Sequence, residues 1–125
     1  MRFARRVFMV AGVYGLLVLL PLYLKDAGSR PEFYYGFAGI ALVWQIAFLV
    51  ISRDPVRYRP LMIVAVLEKV VFGVPTVVLY LQGRVDAQML AGAVIDLILA
   101  ALFLTAWVRL GSTINQQAVS PPAGG

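Results

Sequence analysis

The chain contains no cysteine and no histidine among its 125 residues. Without cysteine, neither a disulfide nor thiol chemistry is available, and the sequence carries no sign of its redox compartment. Without histidine, the commonest general base and the commonest metal ligand are both missing. We therefore expect no metal site and no cofactor. An enzyme is the least favoured interpretation, because no nucleophile, metal set or cofactor motif supports a reaction.

Charge is also scarce, since only 14% of the residues are charged whereas 62% are hydrophobic. Soluble domains are nearer to one quarter charged and one half apolar. A soluble domain of this length has too little interior to bury so much apolar surface. The composition therefore predicts an all-α integral membrane protein.

Four apolar runs are long enough to cross a bilayer, which takes about 20 residues at 1.5 Å per residue. They span approximately residues 7–24, 33–51, 61–81 and 88–108. Short connections favour antiparallel neighbours and predict an up-down-up-down four-helix bundle over residues 1–111. The first span is longer than a signal-peptide core, so we expect a retained anchor helix. Residues 112–125 are small, polar and proline-rich, and they predict a disordered cytoplasmic tail.

Turn chemistry marks the ends of these runs. Ser29 lies three residues before Glu32, which is the spacing of a capping box at the start of the second helix. Gly83 is placed to end the third helix, and Asp86 to cap the first turn of the fourth.

Lysine and arginine are distributed unequally between the two ends of the predicted spans. One end carries seven, namely Arg2, Arg5, Arg6, Arg53, Arg57, Arg59 and Arg109. The other end carries three, namely Lys25, Arg30 and Arg84. Positively charged loops stay in the cytoplasm. The sequence therefore predicts a multi-pass protein of the inner (plasma) membrane with both termini cytoplasmic.

The connection between the second and third spans is the densest basic segment. Arg53, Arg57 and Arg59 fall within seven residues of one another on the predicted cytoplasmic face. The basic residues bracket apolar runs instead of forming a stripe, so we do not expect nucleic-acid binding. The pattern is typical of topology signals and of contact with anionic lipid headgroups, and a partner protein is the alternative.

Several polar residues fall inside the predicted spans. At 1.5 Å per residue, Glu68 lies about 10 Å from the cytoplasmic side and Asp96 about 12 Å from the other side. Gln45 falls close to the level of Asp96, and Lys69 follows Glu68 directly. Tyr14 lies about halfway along the first span, away from the interfacial tyrosines.

These polar residues share helix faces with small residues. In the third span Lys69 lies between Ala65 and Gly73 at four-residue spacing, and in the fourth span Asp96 lies between Gly92 and Ala100 at the same spacing. In the second span Gln45 follows Ala38 and Ala41. The first span contributes the small residues Ala11 and Gly15. Small residues let membrane helices approach closely, so these faces are predicted to form the interior.

Two interpretations of the polar cluster remain open. A charge deep in a bilayer is costly and usually pairs inside the protein. Lys69 and Asp96 are the better pair, because Glu68 points about 100° away from its neighbour, which leaves Glu68 to find Gln45, a tyrosine or a proton. The cluster is therefore either a structural bridge that fixes helix packing or a polar pocket formed by Glu68, Lys69, Asp96, Gln45 and Tyr14.

The segment RDPVRYRPLMIVAVLEK, with the later aspartate in VIDLILAALF, resembles small four-helix bacterial membrane proteins. The general plan is similar to that of the DoxX-like and emopamil-binding-related (EXPERA) group. The resemblance implies an intramembrane cavity, lined by acidic residues, that binds sterol-like or other amphipathic molecules. Some members of that group are isomerases that use a histidine, which this chain lacks, so no catalytic residue is carried over.

Three functions follow as hypotheses. The first is binding of a lipophilic or amphipathic small molecule within the bundle. The second is an accessory subunit whose Lys–Asp pair is purely structural. Association with a membrane partner or with a second copy of the chain is compatible with it. The third is a small proton-coupled transporter similar to four-helix multidrug exporters. Those exporters carry their glutamate in the first span, which here has no charge, and they often show a weak loop-charge bias.

Overall fold

The structure, a computed structural model of the chain, describes residues 2–119, and every regular element in this range is helical. The four α-helices are α1 (Arg2–Leu19), α2 (Pro31–Arg53), α3 (Arg59–Leu81) and α4 (Ala87–Val119). A short 3₁₀ segment, Leu20–Leu24, continues α1. All four helices are long and apolar enough to cross a membrane. The predictions of an all-α fold and of four membrane-length helices are confirmed.

The outer surface of the molecule is apolar on every helix. Leu17, Ile40, Val71 and Ile98 are each more than half exposed, and many other large aliphatic residues are exposed with them. A water-soluble surface rarely carries apolar patches of this extent. The exposed faces therefore agree with the membrane-length helices in indicating a lipid environment.

Two of the three predicted helix boundaries have the expected chemistry. Gly83 has a φ of +71°, and the adjoining N–H groups of Gly83 and Arg84 close the end of α3 on carbonyls of its last turns. The Asp86 carboxylate accepts a hydrogen bond from the Met89 N–H at 2.9 Å and caps α4. The capping box predicted at Ser29 is wrong, because Arg30 occupies the cap position and its side chain holds Glu32 at 2.8 Å.

Small residues bring the helices together in two pairs. The most extensive contacts join α1 to α2 and α3 to α4. A Cβ added at Gly12 of α1 would meet Leu49 of α2 at 2.7 Å, and one added at Gly73 of α3 would meet Leu97 of α4 at the same distance. Glycine at these positions therefore permits the close approach within each pair.

The predicted small-residue faces lie inside the protein. Ala11, Gly15, Ala38, Ala41, Ala65, Gly73 and Ala100 are all buried. Gly92 and Asp96 are only partly buried, because they border the internal cavity described below. The prediction of inward-facing stripes is confirmed for three helices and for one residue of the fourth.

An aromatic cluster fills one end of the helical core. Phe8, Phe48 and Phe103 are fully buried. The rings of Phe8 and Phe103 stack with centroids 4.2 Å apart, and Phe48 packs edge-on to Phe103 at 5.0 Å. Met62 and Ala106 pack with these rings, and together the five side chains fill one end of the core.

The predicted disordered tail is wrong over its described part, because α4 continues through Val119. The sequence has no proline between Gly111 and Pro121, so nothing breaks the helix there. The Thr113 hydroxyl donates to the Arg109 carbonyl, and Ile114 packs against the hydrophobic core. Packing of this turn therefore outweighs its weak helix propensity, while residues 120–125 of the predicted tail lie outside the described residues.

Candidate functional site: a buried ion cluster and its cavity

Lys69 is the centre of a buried ion cluster. Its Nζ lies 3.3 Å from Asp96 Oδ1 and 3.7 Å from Glu68 Oε2, and its side chain is only 4% exposed. The predicted pairing of Lys69 with Asp96 is confirmed. The contact made by Glu68 differs from the prediction. Its carboxylate also pairs with the Lys69 ammonium, whereas the sequence predicted Gln45, a tyrosine or a proton as its partner. The long lysine stem allows this, because it carries the charge to a point between the two carboxylates.

The ammonium group also lies against the aromatic cluster. Lys69 Nζ is 5.1 Å from the centroid of the Phe48 ring. A ring face attracts a cation, and the attraction is larger where water is excluded. The aromatic cluster therefore forms a floor beneath the ion cluster.

Gln45 adds an unpaired acceptor beside the ion cluster. Its Nε2 donates to the Ala41 carbonyl at 2.8 Å, but its buried Oε1 has no hydrogen-bond partner within residues 2–119. Gly15 makes room for this side chain, because a Cβ there would overlap the Gln45 amide. Glu68 Oε2 is also buried and accepts no hydrogen bond from the described residues, but it is ion-paired with Lys69 at 3.7 Å. Buried polar atoms are normally satisfied, so the unpaired Gln45 Oε1 indicates space for a donor.

One cavity of about 390 Å³ connects these groups. All four helices line it, and all five predicted pocket residues border it, namely Tyr14, Gln45, Glu68, Lys69 and Asp96. Small-molecule sites usually occupy about 300–1,000 Å³ and combine an apolar lining with a few polar groups. The volume and lining of the cavity are those of such a site.

The cavity extends from the ion cluster to the connections between helices. Lys25 and Asp26, which follow the first helix, line its far end together with Asp86 and Gln88 at the start of α4. The aromatic floor closes the opposite end. The cavity is therefore one-sided, with polar groups at its mouth and at its base.

A second depression opens between α2 and α3. It has a volume of about 470 Å³ and shares Phe37, Ala41, Glu68 and Phe72 with the cavity. The rings of Phe37 and Phe72 are 5.5 Å apart and lie between the two spaces. Its other lining residues are apolar or aromatic and belong to the outer surface, namely Ile40, Trp44, Val64, Leu67 and Val71. We call this depression the lateral groove.

The three arginines predicted to contact headgroups do not form one group. Arg53 and Arg57 are exposed. Arg59 instead turns towards α4, where its Nε and Nη2 donate to the Trp107 carbonyl at 3.2 and 3.0 Å and its guanidinium lies 4.4 Å above the Trp107 ring. Arg59 therefore fastens α3 to α4.

Sequence analysis missed the aromatic walls and the polar mouth. Phe37 and Phe72 are two of many apolar residues in their spans. The only sequence signal for them is their spacing from Gln45 and Glu68, which places each ring on the same helix face as the polar residue. Lys25 and Asp26 carry no pattern that distinguishes them from other loop residues, and Asp86 is predicted only as the cap of the fourth helix. Their role depends on how the two helix pairs meet, which local patterns do not reveal.

The site therefore defines a class: an all-helical protein with four membrane-length helices around an internal polar cavity. Within residues 2–119, no group of three or more acidic side chains lies close enough to hold a metal ion. Comparisons with family models, with curated proteins and with solved structures gave no match for the chain.

Proposed function

We propose that this protein binds an amphipathic small molecule in the cavity above Lys69. The observation that carries the proposal is the buried Gln45 Oε1, which has no hydrogen-bond partner within residues 2–119 and lines, with Glu68, a cavity of about 390 Å³. Leaving a buried acceptor unpaired costs about 1–3 kcal/mol. A ligand that supplies N–H or O–H groups removes this cost, so the proposed ligand has a hydrogen-bond-donating head.

The lateral groove supports an apolar tail on the same ligand. Phe37 and Phe72 border both the cavity and the groove, and the rest of the groove is formed by residues of the apolar outer surface. A head bound at Glu68 therefore leaves its tail a path past these rings towards lipid.

The membrane arrangement belongs to the same proposal. We place the four helices in an up-down-up-down bundle in the inner membrane, with both termini cytoplasmic. Contacts between the end of one helix and the start of another support it. The Tyr34 hydroxyl at the start of α2 donates to the Leu22 carbonyl after α1 at 2.7 Å, and Arg59 at the start of α3 reaches Trp107 late in α4. The excess of lysine and arginine at the termini and the α2–α3 connection supports the orientation.

A distant relationship to the DoxX-like and EXPERA group is proposed on architecture alone, with no catalytic residue assigned. The accessory-subunit alternative explains the Lys69–Asp96 pair but gives no role to the cavity or to the unpaired Gln45 Oε1. The transporter alternative has less support, because the four-helix exporters carry their glutamate in the first span, whereas α1 contains no acidic residue.

Two glycines provide a matched test of the cavity. A Cβ added at Gly92 or at Gly36 would meet nothing within 4 Å, but only Gly92 borders the cavity. Gly92→Phe therefore fills the cavity without a backbone clash, whereas Gly36→Phe adds the same ring to the outer surface. The two variants change helix propensity equally.

The measurement is thermal unfolding in a dimethylamine oxide detergent, whose headgroup donates no hydrogen bond. Oleyl alcohol is the donor-headed amphiphile, and methyl oleate is its counterpart without a donor. An amphiphile at 100 times its Kd stabilises the folded state by about 2.7 kcal/mol, which raises Tm by several degrees. We expect oleyl alcohol to raise the Tm of the native protein and of Gly36→Phe, but not that of Gly92→Phe. Equal shifts with methyl oleate, or an unchanged shift in Gly92→Phe, would refute the proposed site.

A further inference from the structure

A second groove lies at the opposite end of the molecule from the cavity mouth. Its volume is about 530 Å³, and it lies between the start of α1 and the last turns of α4. Residues 112–116 form part of its wall, and they are helical although the sequence suggested a disordered tail. The groove therefore exists because α4 continues beyond its apolar span. We call it the basic groove.

Two arginines from different helices converge on the basic groove. Arg2 comes from α1 and Arg109 from α4, and the Ser112 hydroxyl adds a donor. No carboxylate is among the described residues that line it. A concave site with two guanidinium groups and no acid attracts an anion, and guanidinium forks match the oxygens of phosphate.

Arg109 is held in place by its contact with Phe3. Its guanidinium carbon lies 4.4 Å from the centroid of the Phe3 ring, which also lines the groove. A guanidinium that stacks on a ring keeps its N–H edges available for an anion, and it loses less freedom when the anion binds. The contact therefore orients the arginine before any ligand arrives.

The remaining lining combines the polar residues Thr113 and Gln116 with an apolar wall. Ala4, Ala106, Val108 and Leu110 form this wall. A free phosphate ion makes no use of such a surface, whereas the glycerol and first methylenes of a phospholipid can pack against it. The combination of two guanidinium groups with an apolar wall favours an amphiphile that carries a phosphate.

The charge of this end of the molecule favours an anionic amphiphile. The end that includes Arg2 and Arg109 carries seven basic residues and one acidic residue, Asp54. The opposite end carries three basic residues and three acidic residues, namely Asp26, Glu32 and Asp86. An excess of arginine near a membrane surface attracts anionic lipids.

We infer that the basic groove binds the phosphate of an anionic phospholipid between Arg2 and Arg109, with the lipid's glycerol and upper acyl chain against the α4 wall. The inference does not depend on the ligand proposed for the cavity, because the basic groove and the cavity share no lining residue.

The test compares arginines from the same end of the protein. Arg2→Gln removes an exposed groove arginine, and Arg109→Gln removes the one that stacks on Phe3. Arg5→Gln is the control, since Arg5 is exposed on the same helix end but does not line the groove. Each protein is titrated in detergent with short-chain phosphatidylglycerol, phosphatidylcholine or inorganic phosphate, and bound lipid is counted by native mass spectrometry.

We expect phosphatidylglycerol to bind tightest to the native protein and about tenfold more weakly to each groove variant, the effect of one charge-assisted hydrogen bond. Arg5→Gln should stay within about twofold of the native protein, because loss of a charge outside the groove leaves the bound contacts intact. If Arg5→Gln loses as much affinity as Arg2→Gln, the attraction is diffuse and the site is refuted. If inorganic phosphate competes as well as the lipid, the apolar wall contributes nothing and a lipid ligand is refuted. Because Arg2 is exposed, its variant tests the inference even if Arg109→Gln weakens folding.

Discussion

Replacing Lys69 with methionine should destabilise the protein more than neutralising either of its carboxylate partners. The Lys69 ammonium is shared by Asp96 at 3.3 Å and Glu68 at 3.7 Å. If one carboxylate is neutralised, the cation keeps the other. If the cation is removed, two partly buried carboxylates are left without their shared counterion.

The distances set the size of the difference. With an effective dielectric constant of about 20, unit charges at these separations attract by about 5 and about 4 kcal/mol before desolvation is counted. Removing one partner of a buried ion pair costs about 3–5 kcal/mol in measured cases. The carboxylate side chains are 17% and 18% exposed, so we expect the lower value, about 3 kcal/mol, for Lys69→Met. For Asp96→Asn we expect about 1 kcal/mol, as for single polar contacts between membrane helices, and for Glu68→Gln, whose contact lies within α3, no more than about 1 kcal/mol.

The assay is reversible unfolding in mixed micelles with increasing dodecyl sulfate, followed by tryptophan fluorescence. Trp44 and Trp107 lie in different helix pairs, so agreement between the transitions of the two single-tryptophan variants, Trp44→Phe and Trp107→Phe, checks two-state behaviour. The triple variant Glu68→Gln, Lys69→Met and Asp96→Asn should recover at least half of the loss, because it leaves no unpaired charge. If Asp96→Asn costs as much as Lys69→Met, and the triple variant is no more stable than Lys69→Met, the shared-cation reasoning is wrong.

Two further substitutions test contacts within the helix pairs. Gly15→Ala should lower the free energy of unfolding by about 1–3 kcal/mol, because its methyl group overlaps the Gln45 amide; Gly92→Ala, which faces open space, should be neutral or slightly stabilising in the same unfolding assay. Arg59→Gln should cost about 1–3 kcal/mol, because the Trp107 carbonyl loses two hydrogen bonds and its ring loses a stacked cation; a loss no larger than that of the exposed Arg57→Gln would contradict this role.

The four helices were predictable because their signal is long and redundant. Each span repeats the same apolar character over about five turns, so an error at one residue changes little. The pairing of Lys69 with Asp96 was predictable for a different reason. In a membrane-length apolar helix, few groups are available to neutralise a charged side chain. The small residues around Lys69 indicated the helix face on which its partner lies.

The cavity itself was not predictable, because it depends on distances between helices. Its existence rests on Gly15 admitting Gln45 and on α2 and α3 making fewer contacts than the other neighbours. The continuation of α4 was missed for a related reason. Composition suggested a tail, but Ile114 gains packing against the core that no local propensity scale contains.

Under the proposed membrane arrangement, the separation of the fold into two helix pairs has a consequence for how the chain enters a bilayer. A charged residue at the centre of a membrane helix costs about 2.5–3.5 kcal/mol during insertion. Lys69 and both of its carboxylates belong to the α3–α4 pair, while the Gln45 amide and the glycine that accommodates it belong to the α1–α2 pair. The α3–α4 hairpin therefore carries the counterions of its own charges, and the apolar spans of the α1–α2 hairpin carry no charge, so each hairpin can be released into lipid as a unit. Docking of the two hairpins then rests on ring contacts, such as the Phe8–Phe103 stack and the approach of Lys69 to Phe48.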